Sequence, residues 1–208
     1  MTLLIAWAKG TEGLIAVDTE GARSDGHKAE FGKFFPLVGI AAVISGRGNI
    51  DYLREVVMWA QISSLSFDEI AANLAVVMGA AWSVFARNLE TAPEEISRLM
   101  EIQPHQEVAL IGWSTSANEM RLFCGKRDGE SGEIQVAERP WCISPWDVDA
   151  QGMPAHEEPN SVERIADIAR AQVAHFKPIN PKAGLGGRLI LAQLTPYTML
   201  ISSPCQLA

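Results

Sequence analysis

The chain opens with two apolar runs, Leu3 to Ala8 and Leu14 to Val17, on either side of Lys9-Gly10-Thr11-Glu12-Gly13. Short apolar runs joined by a glycine-containing loop predict a β-hairpin. A polar stretch from Glu20 to Glu30 reads as a loop. Phe34-Phe35-Pro36-Leu37-Val38 and Gly39-Ile40-Ala41-Ala42-Val43-Ile44 then predict a second strand pair, ended by Ser45-Gly46-Arg47-Gly48. Strands so rich in apolar residues need cover, and the periodicity of the next segment supplies it. Asn49 caps a predicted helix from Ile50 to Ile62, with Ile50, Leu53, Val57 and Ala60 at three-to-four spacing. Ser66 and Glu69 form a capping box. The helix behind it carries Ile70, Leu74, Val77 and Ala81 on one face and Val76, Ala80 and Val84 on another, which predicts burial around much of its circumference. Thr91, Pro93 and Glu94 mark a third, short helix.

Strand patterns return at Glu107 to Trp113, Met120 to Cys124, Glu133 to Ala137 and Trp141 to Ser144. After a Pro-containing loop from Gln151 to Asn160, Ser161 opens a helix from Val162 to Phe176, ended by Pro178 and Pro181. Arg188 to Leu194 and Thr198 to Ile201 are the final strands. Elements in this order do not alternate as βαβα. The expected fold is α+β, a four-layer αββα sandwich of two antiparallel sheets flanked by helices, as one domain over residues 1–208.

Composition excludes several classes. The 208 residues carry a net charge of −8 and no Lys/Arg cluster, against a nucleic-acid footprint. No apolar run reaches the length of a membrane span, and no basic region precedes Leu3 to Ala8, so neither a membrane protein nor a secretory signal is expected. Cys124, Cys142 and Cys205 are scattered and match no disulfide or zinc pattern, which points to the cytoplasm. His27, His105, His156 and His175 show no metal spacing, and no motif calls for a metal or organic cofactor. Gly112-Trp113-Ser114-Thr115-Ser116 lacks the second glycine of a nucleophile elbow and reads as a strand end. Gly184-Leu185-Gly186-Gly187 lacks the Lys-Ser/Thr of a phosphate loop and reads as a tight turn. Trp141 and Trp146 read as core or as an interface patch, with core the commoner case.

Thr2, Asp18, Lys33 and Ser45-Gly46 recur in a known order: a threonine opening the first strand, an aspartate ending the second, a lysine before a strand pair, and a Ser-Gly turn leading into a long helix. In this, Thr2 to Gly48 resembles the amino-terminal part of the proteasome β-subunit family, within the N-terminal-nucleophile (Ntn) hydrolases. Later segments are similar more loosely, Val108 to Trp113 to the family's central strand and Gly186 to Ile190 to its glycine-led penultimate strand. The spacing from Asp18 to Lys33 is one residue short of the family's, and Lys28 competes for the lysine position. Ser131 is a weak candidate for a supporting serine, and Asp147 or Asp167 for a supporting acid.

The resemblance implies a threonine-type peptidase or amide hydrolase. Once Met1 is removed, the Thr2 hydroxyl would be the nucleophile and its own α-amine the base, with a reference pKa of about 7.7–8.0. Lys33 would favour the alkoxide, and Asp18 would hold Lys33. A backbone N–H at Gly46 or Arg47 would face the oxyanion, each such donor being worth about 2.7–4 kcal/mol. The implied partners are a peptide or other amide and further copies of the chain. In plainer terms Thr2 is a β-branched residue opening a strand, Asp18 a turn acid and Lys33 a loop lysine. The alternative function is a proteasome-like subunit without catalysis, a structural or binding scaffold that keeps Met1. Exposure of the Thr2 amine is expected to depend on loss of Met1 alone, so intact mass spectrometry of the purified protein should find it lighter by one methionine; a full-length mass would favour the scaffold.

Overall fold

The computed structural model describes residues 2–22, 27–64, 66–90, 105–145, 157–179 and 184–207. Its fold is the expected α+β sandwich. The first five-stranded sheet has the order β10-β1-β2-β11-β12 and the second β5-β6-β7-β8-β9, all pairs antiparallel. In chain order the strands are β1 (Leu4–Lys9), β2 (Glu12–Asp18), β3 (Glu20–Ala22), β4 (Lys28–Glu30), β5 (Phe34–Pro36), β6 (Ala42–Arg47), β7 (Gln106–Ser114), β8 (Glu119–Arg127), β9 (Ile134–Glu138), β10 (Trp141–Ser144), β11 (Gly187–Leu194) and β12 (Met199–Leu207). The helices are α1 (Ile50–Ser63), α2 (Phe67–Ala72), α3 (Leu74–Glu90) and α4 (Val162–Ile179).

The alternation of side chains along a strand explains why β1 is apolar on both faces. Leu3, Ile5 and Trp7 pack against Ile165, Ile168, Ala169 and Val173 of α4. Leu4, Ala6 and Ala8 point the other way and meet Val43, Ala109, Ile111 and Leu122 of the second sheet. The second sheet's remaining face, with Ala42, Ile44, Val108 and Leu110, is covered by Tyr52, Leu53, Val56, Leu74 and Met78 of α1 and α3. Three apolar seams thus stack four layers. Within the helical layer Trp82 lies edge-on to Tyr52, with ring centroids 5.6 Å apart.

Several elements depart from the sequence reading. The polar loop over Glu20 to Glu30 contains the small ladder β3–β4. The helix predicted behind Ser66 is two helices. The Asn73 side chain donates to the Glu69 carbonyl at 2.9 Å and its backbone leaves helical geometry, so α2 stops there. The capping box itself is present. Val76 on α3 is 70% exposed, so only one face of this helix is buried. The last helix continues one residue past Pro178, because a proline in the final turn forfeits a single ladder bond. Ser45, Gly46 and Arg47 belong to β6 and not to a turn; the turn is at Gly48, whose φ of +127° suits glycine. The short helix predicted at Thr91, Pro93 and Glu94 lies outside the described residues, as does most of the loop from Gln151.

Gly112 marks a close approach between β7, its neighbour β6 and α2. A β-carbon there would lie 2.6 Å from Ala42 Cβ, 2.6 Å from the Phe67 ring and 2.8 Å from the Ala41 carbonyl. Gly112→Val should destabilise the protein by about 1–3 kcal/mol through overpacking. Chemical denaturation should show this as a lower midpoint with an unchanged slope.

Candidate active site

β2 ends at Asp18 in the middle of the first sheet, between β1 and β11. Its carboxylate is fully buried and held from three directions. Oδ1 accepts the Leu3 backbone N–H at 2.9 Å and the Lys33 ammonium at 3.0 Å. Oδ2 accepts the Gly186 N–H at 3.0 Å. Thr2 is joined directly to one of these donors, Leu3, and is itself 5% exposed. Three of the residues singled out in the sequence, Thr2, Asp18 and Lys33, therefore gather at one point.

Lys33 reaches this point from the other sheet. It immediately precedes β5, and its own carbonyl accepts the Ser45 hydroxyl at 2.6 Å. Its ammonium also donates to the Glu20 carbonyl. Burial pushes the Asp18 carboxyl above its ordinary value, opposed by the Lys33 charge and by the Gly186 and Leu3 donors. Burial likewise lowers the Lys33 ammonium, opposed by Asp18. Each partner is the chief compensation for the other's loss of water.

Gly46 lies inside β6 opposite Val108, where a β-carbon would come within 2.4 Å of the Glu107 carbonyl and 3.0 Å of Leu53. Close strand packing is enough to require glycine there. The β6 contact that reaches the site network is that of its neighbour Ser45. Beyond it, Arg47 pairs with Glu107 at 3.0 Å, and Glu107 accepts the hydroxyl of Ser144, which sits opposite Leu4 on β1.

The weaker candidates are occupied elsewhere. Ser131 closes an exposed turn on Asp128. Asp167 pairs with Arg170 along the surface of α4. Asp147 is outside the described residues, as is the Lys28 side chain. Ser114 ends β7 and caps the following turn through Ala117 N–H.

Sequence reasoning missed the second ring of contacts. The Thr19 hydroxyl accepts the Arg188 N–H at 2.9 Å, and Arg188 pairs with Glu30 through Nη2–Oε2 at 2.6 Å. Gly186 and Gly187, read only as a turn, have φ of +137° and +74°. At Gly187 a β-carbon would fall 2.6 Å from Thr19 Oγ1. These partners lie more than 150 residues apart in sequence, and no local pattern signals them; the glycine pair at the head of a strand was the available clue.

No family model and no curated protein matches the chain. Solved structures do. Anbu (ancestral beta-subunit) from Yersinia bercovieri superposes with a TM-score of 0.62 at 13% identity, over 98% of this chain and 88% of that one. A structure of an Anbu (Gly-1) mutant from Hyphomicrobium sp. strain MC1 gives 0.60 at 14% identity, over 98% and 86%. The chain is similar to these proteins in fold, and the αββα sandwich of two antiparallel sheets stands. The resemblance to the proteasome β-subunit family itself is corrected: the solved neighbours are Anbu proteins, and likeness at this identity extends to the fold alone.

Breaking one half of a buried ion pair strands the other charge. Lys33→Met should cost about 3–5 kcal/mol of stability. The double variant Asp18→Asn with Lys33→Met should lose less than the sum of the two single changes, as measured by a urea-denaturation double-mutant cycle.

Proposed function

We propose that the chain is a threonine-type peptidase or amide hydrolase whose nucleophile is the Thr2 hydroxyl after removal of Met1. The observation that carries this reading is the shared carboxylate oxygen of Asp18, which binds both the backbone N–H next to Thr2 and the ammonium of Lys33. A buried cation and the residue that follows Thr2 thus share one carboxylate oxygen, which supports a role for Lys33 at the nucleophile.

In this reading the Thr2 hydroxyl attacks the carbonyl carbon of an amide while the free α-amine, directly or through water, takes its proton. The Lys33 charge favours the alkoxide. The oxyanion meets a backbone N–H at Gly46. Collapse of the tetrahedral intermediate breaks the C–N bond, the leaving amine takes the proton, and an acyl-threonine ester remains. Water, deprotonated by the same α-amine, then hydrolyses the ester and restores the hydroxyl. No step calls for a cofactor.

A second reading is a scaffold of the same fold without catalysis, acting in structure or binding. The chain that keeps Met1, in which Thr2 is 5% exposed, suits it. Under either reading we take residues 1–208 as one domain, cytoplasmic, and assembled with further copies of itself. In favour of assembly, the edge strand β12 and its turn expose Tyr197, Leu200 and Ile201.

The discriminating reagent is a peptide electrophile directed at an N-terminal threonine. Protein lacking Met1 should gain one adduct, mapped to Thr2, and should cleave fluorogenic peptides. Thr2→Ala should take no adduct and lose activity by a factor on the order of 10⁴–10⁶, as enzymes do when a covalent nucleophile is removed. No adduct on Met1-free protein, or an equal adduct on the alanine variant, leaves the scaffold.

A further inference from the structure

A groove of about 510 Å³ lies between the last turns of α4 and the end of β12. The helix lines it with Arg170, Val173, Ala174, Lys177 and Pro178, and the strand with Gln206. Residues three and four apart are neighbours on a helix surface, so 170, 173, 174 and 177 fall along one stripe. Val173 is buried in the cluster between α4 and the first sheet, and the groove follows the edge of that core. Ala174 beside it is exposed, and its small side chain leaves the floor open. Val173, Ala174 and Pro178 make that floor apolar, and the stems of Arg170 and Lys177 are long enough to extend it. Small-molecule sites run to about 300–1,000 Å³, so the volume suits one. Gln206 stands opposite Arg188 in the β11–β12 ladder, and none of Thr2, Asp18 and Lys33 lines the groove.

The charge of the groove runs against that of the chain. The sequence has 25 acidic and 17 basic residues, yet the described residues that line the groove include two bases and no acid. Lys177, in the last turn of α4, suits the helix dipole without any ligand. Arg170, two turns earlier, has no such explanation. It pairs with Asp167 at 2.9 Å, but the two side chains are 55% and 64% exposed, and such a pair holds a guanidinium weakly. We propose that this groove binds an aliphatic carboxylate, with its chain on Val173, Ala174 and Pro178 and its head on Arg170 and Lys177. The two cations select an anion, and the planar guanidinium matches the two oxygens of a carboxylate. The apolar floor selects a hydrocarbon tail over a small inorganic anion. The proposal is independent of whether Thr2 is a nucleophile.

The test is equilibrium dialysis of the full chain against radiolabelled octanoate, with photo-crosslinking by a diazirine analogue of the same acid and peptide mapping. Octanoate should bind saturably at one site per chain, and the crosslink should map to α4 after Arg170 or to the end of β12. Hexanoate, shorter by two methylenes, should bind about tenfold more weakly. Octan-1-ol, with the same tail and no charge, should also lose about tenfold, as should the double variant Arg170→Gln with Lys177→Gln. Ala174→Trp keeps both cations, fills the floor, and should abolish binding. Both variants change exposed or half-exposed positions, and circular dichroism checks that each is folded. Absence of saturable binding, a crosslink elsewhere, or equal affinity for octan-1-ol and octanoate would each overturn the proposal. So would a concentration-dependent mass that Ala174→Trp alters while octanoate does not bind, because a second copy of the chain would then occupy the groove.

Discussion

One buried carboxylate organises the end of the sandwich where the candidate site lies. Asp18 has left water entirely, and an isolated charge in that position would be expensive. What makes it tolerable is a full set of donors: two backbone N–H groups from the approaches to β1 and β11, and one ammonium from the opposite sheet. The requirement runs both ways. Lys33 is nearly as buried, and its charge has Asp18 as the main compensation. The start of β1, the Gly186-Gly187 turn and the segment before β5 are therefore bound to one point by electrostatics as well as by sheet hydrogen bonds.

The rest of the architecture serves to bring those segments together. β2 is central in its sheet, so its last residue is flanked on both sides by other strands. Ser45 within β6 fixes the Lys33 backbone, and the Glu20 carbonyl on β3 accepts a further hydrogen bond from its ammonium. The exposed pair of Arg188 and Glu30 is worth little as an ion pair alone. Its place is to join β11 to the small β3–β4 ladder, which also contributes Glu20. Glycine at 46, 112 and 187 is the condition for this closeness, since a side chain at any of them would strike backbone or a neighbouring residue.

Much of the fold was legible in the chain. The glycine-linked apolar runs, the Asn49 cap and the Ser66–Glu69 box are local signals, and the structure bears them out. Where reading failed, a tertiary or side-chain effect intervened. The Asn73 side chain competed with the helix, and β6 ran through Ser45 and Gly46 because β7 lay alongside to pair with them. The nearness of Asp18, Lys33 and Thr2 was anticipated from a family pattern whose likeness, on comparison, holds at the level of fold. Thr19, Glu30 and Arg188 were not anticipated, because their meeting depends on contacts between distant parts of the chain.

By itself, then, the sequence determined the kinds and order of the elements, since capping, periodicity and apolar runs act over a few residues. It also determined that two sheets must be sandwiched, because strands apolar on both faces need cover on both. Only the tertiary structure decided which polar groups share a buried carboxylate, that Gly46 is held within a strand, and that Thr2, next to the Leu3 N–H bound by Asp18, is buried. The physical reason is that burial raises the cost of an unpaired charge, and which charges are buried together is a property of the packed chain, not of its local pattern.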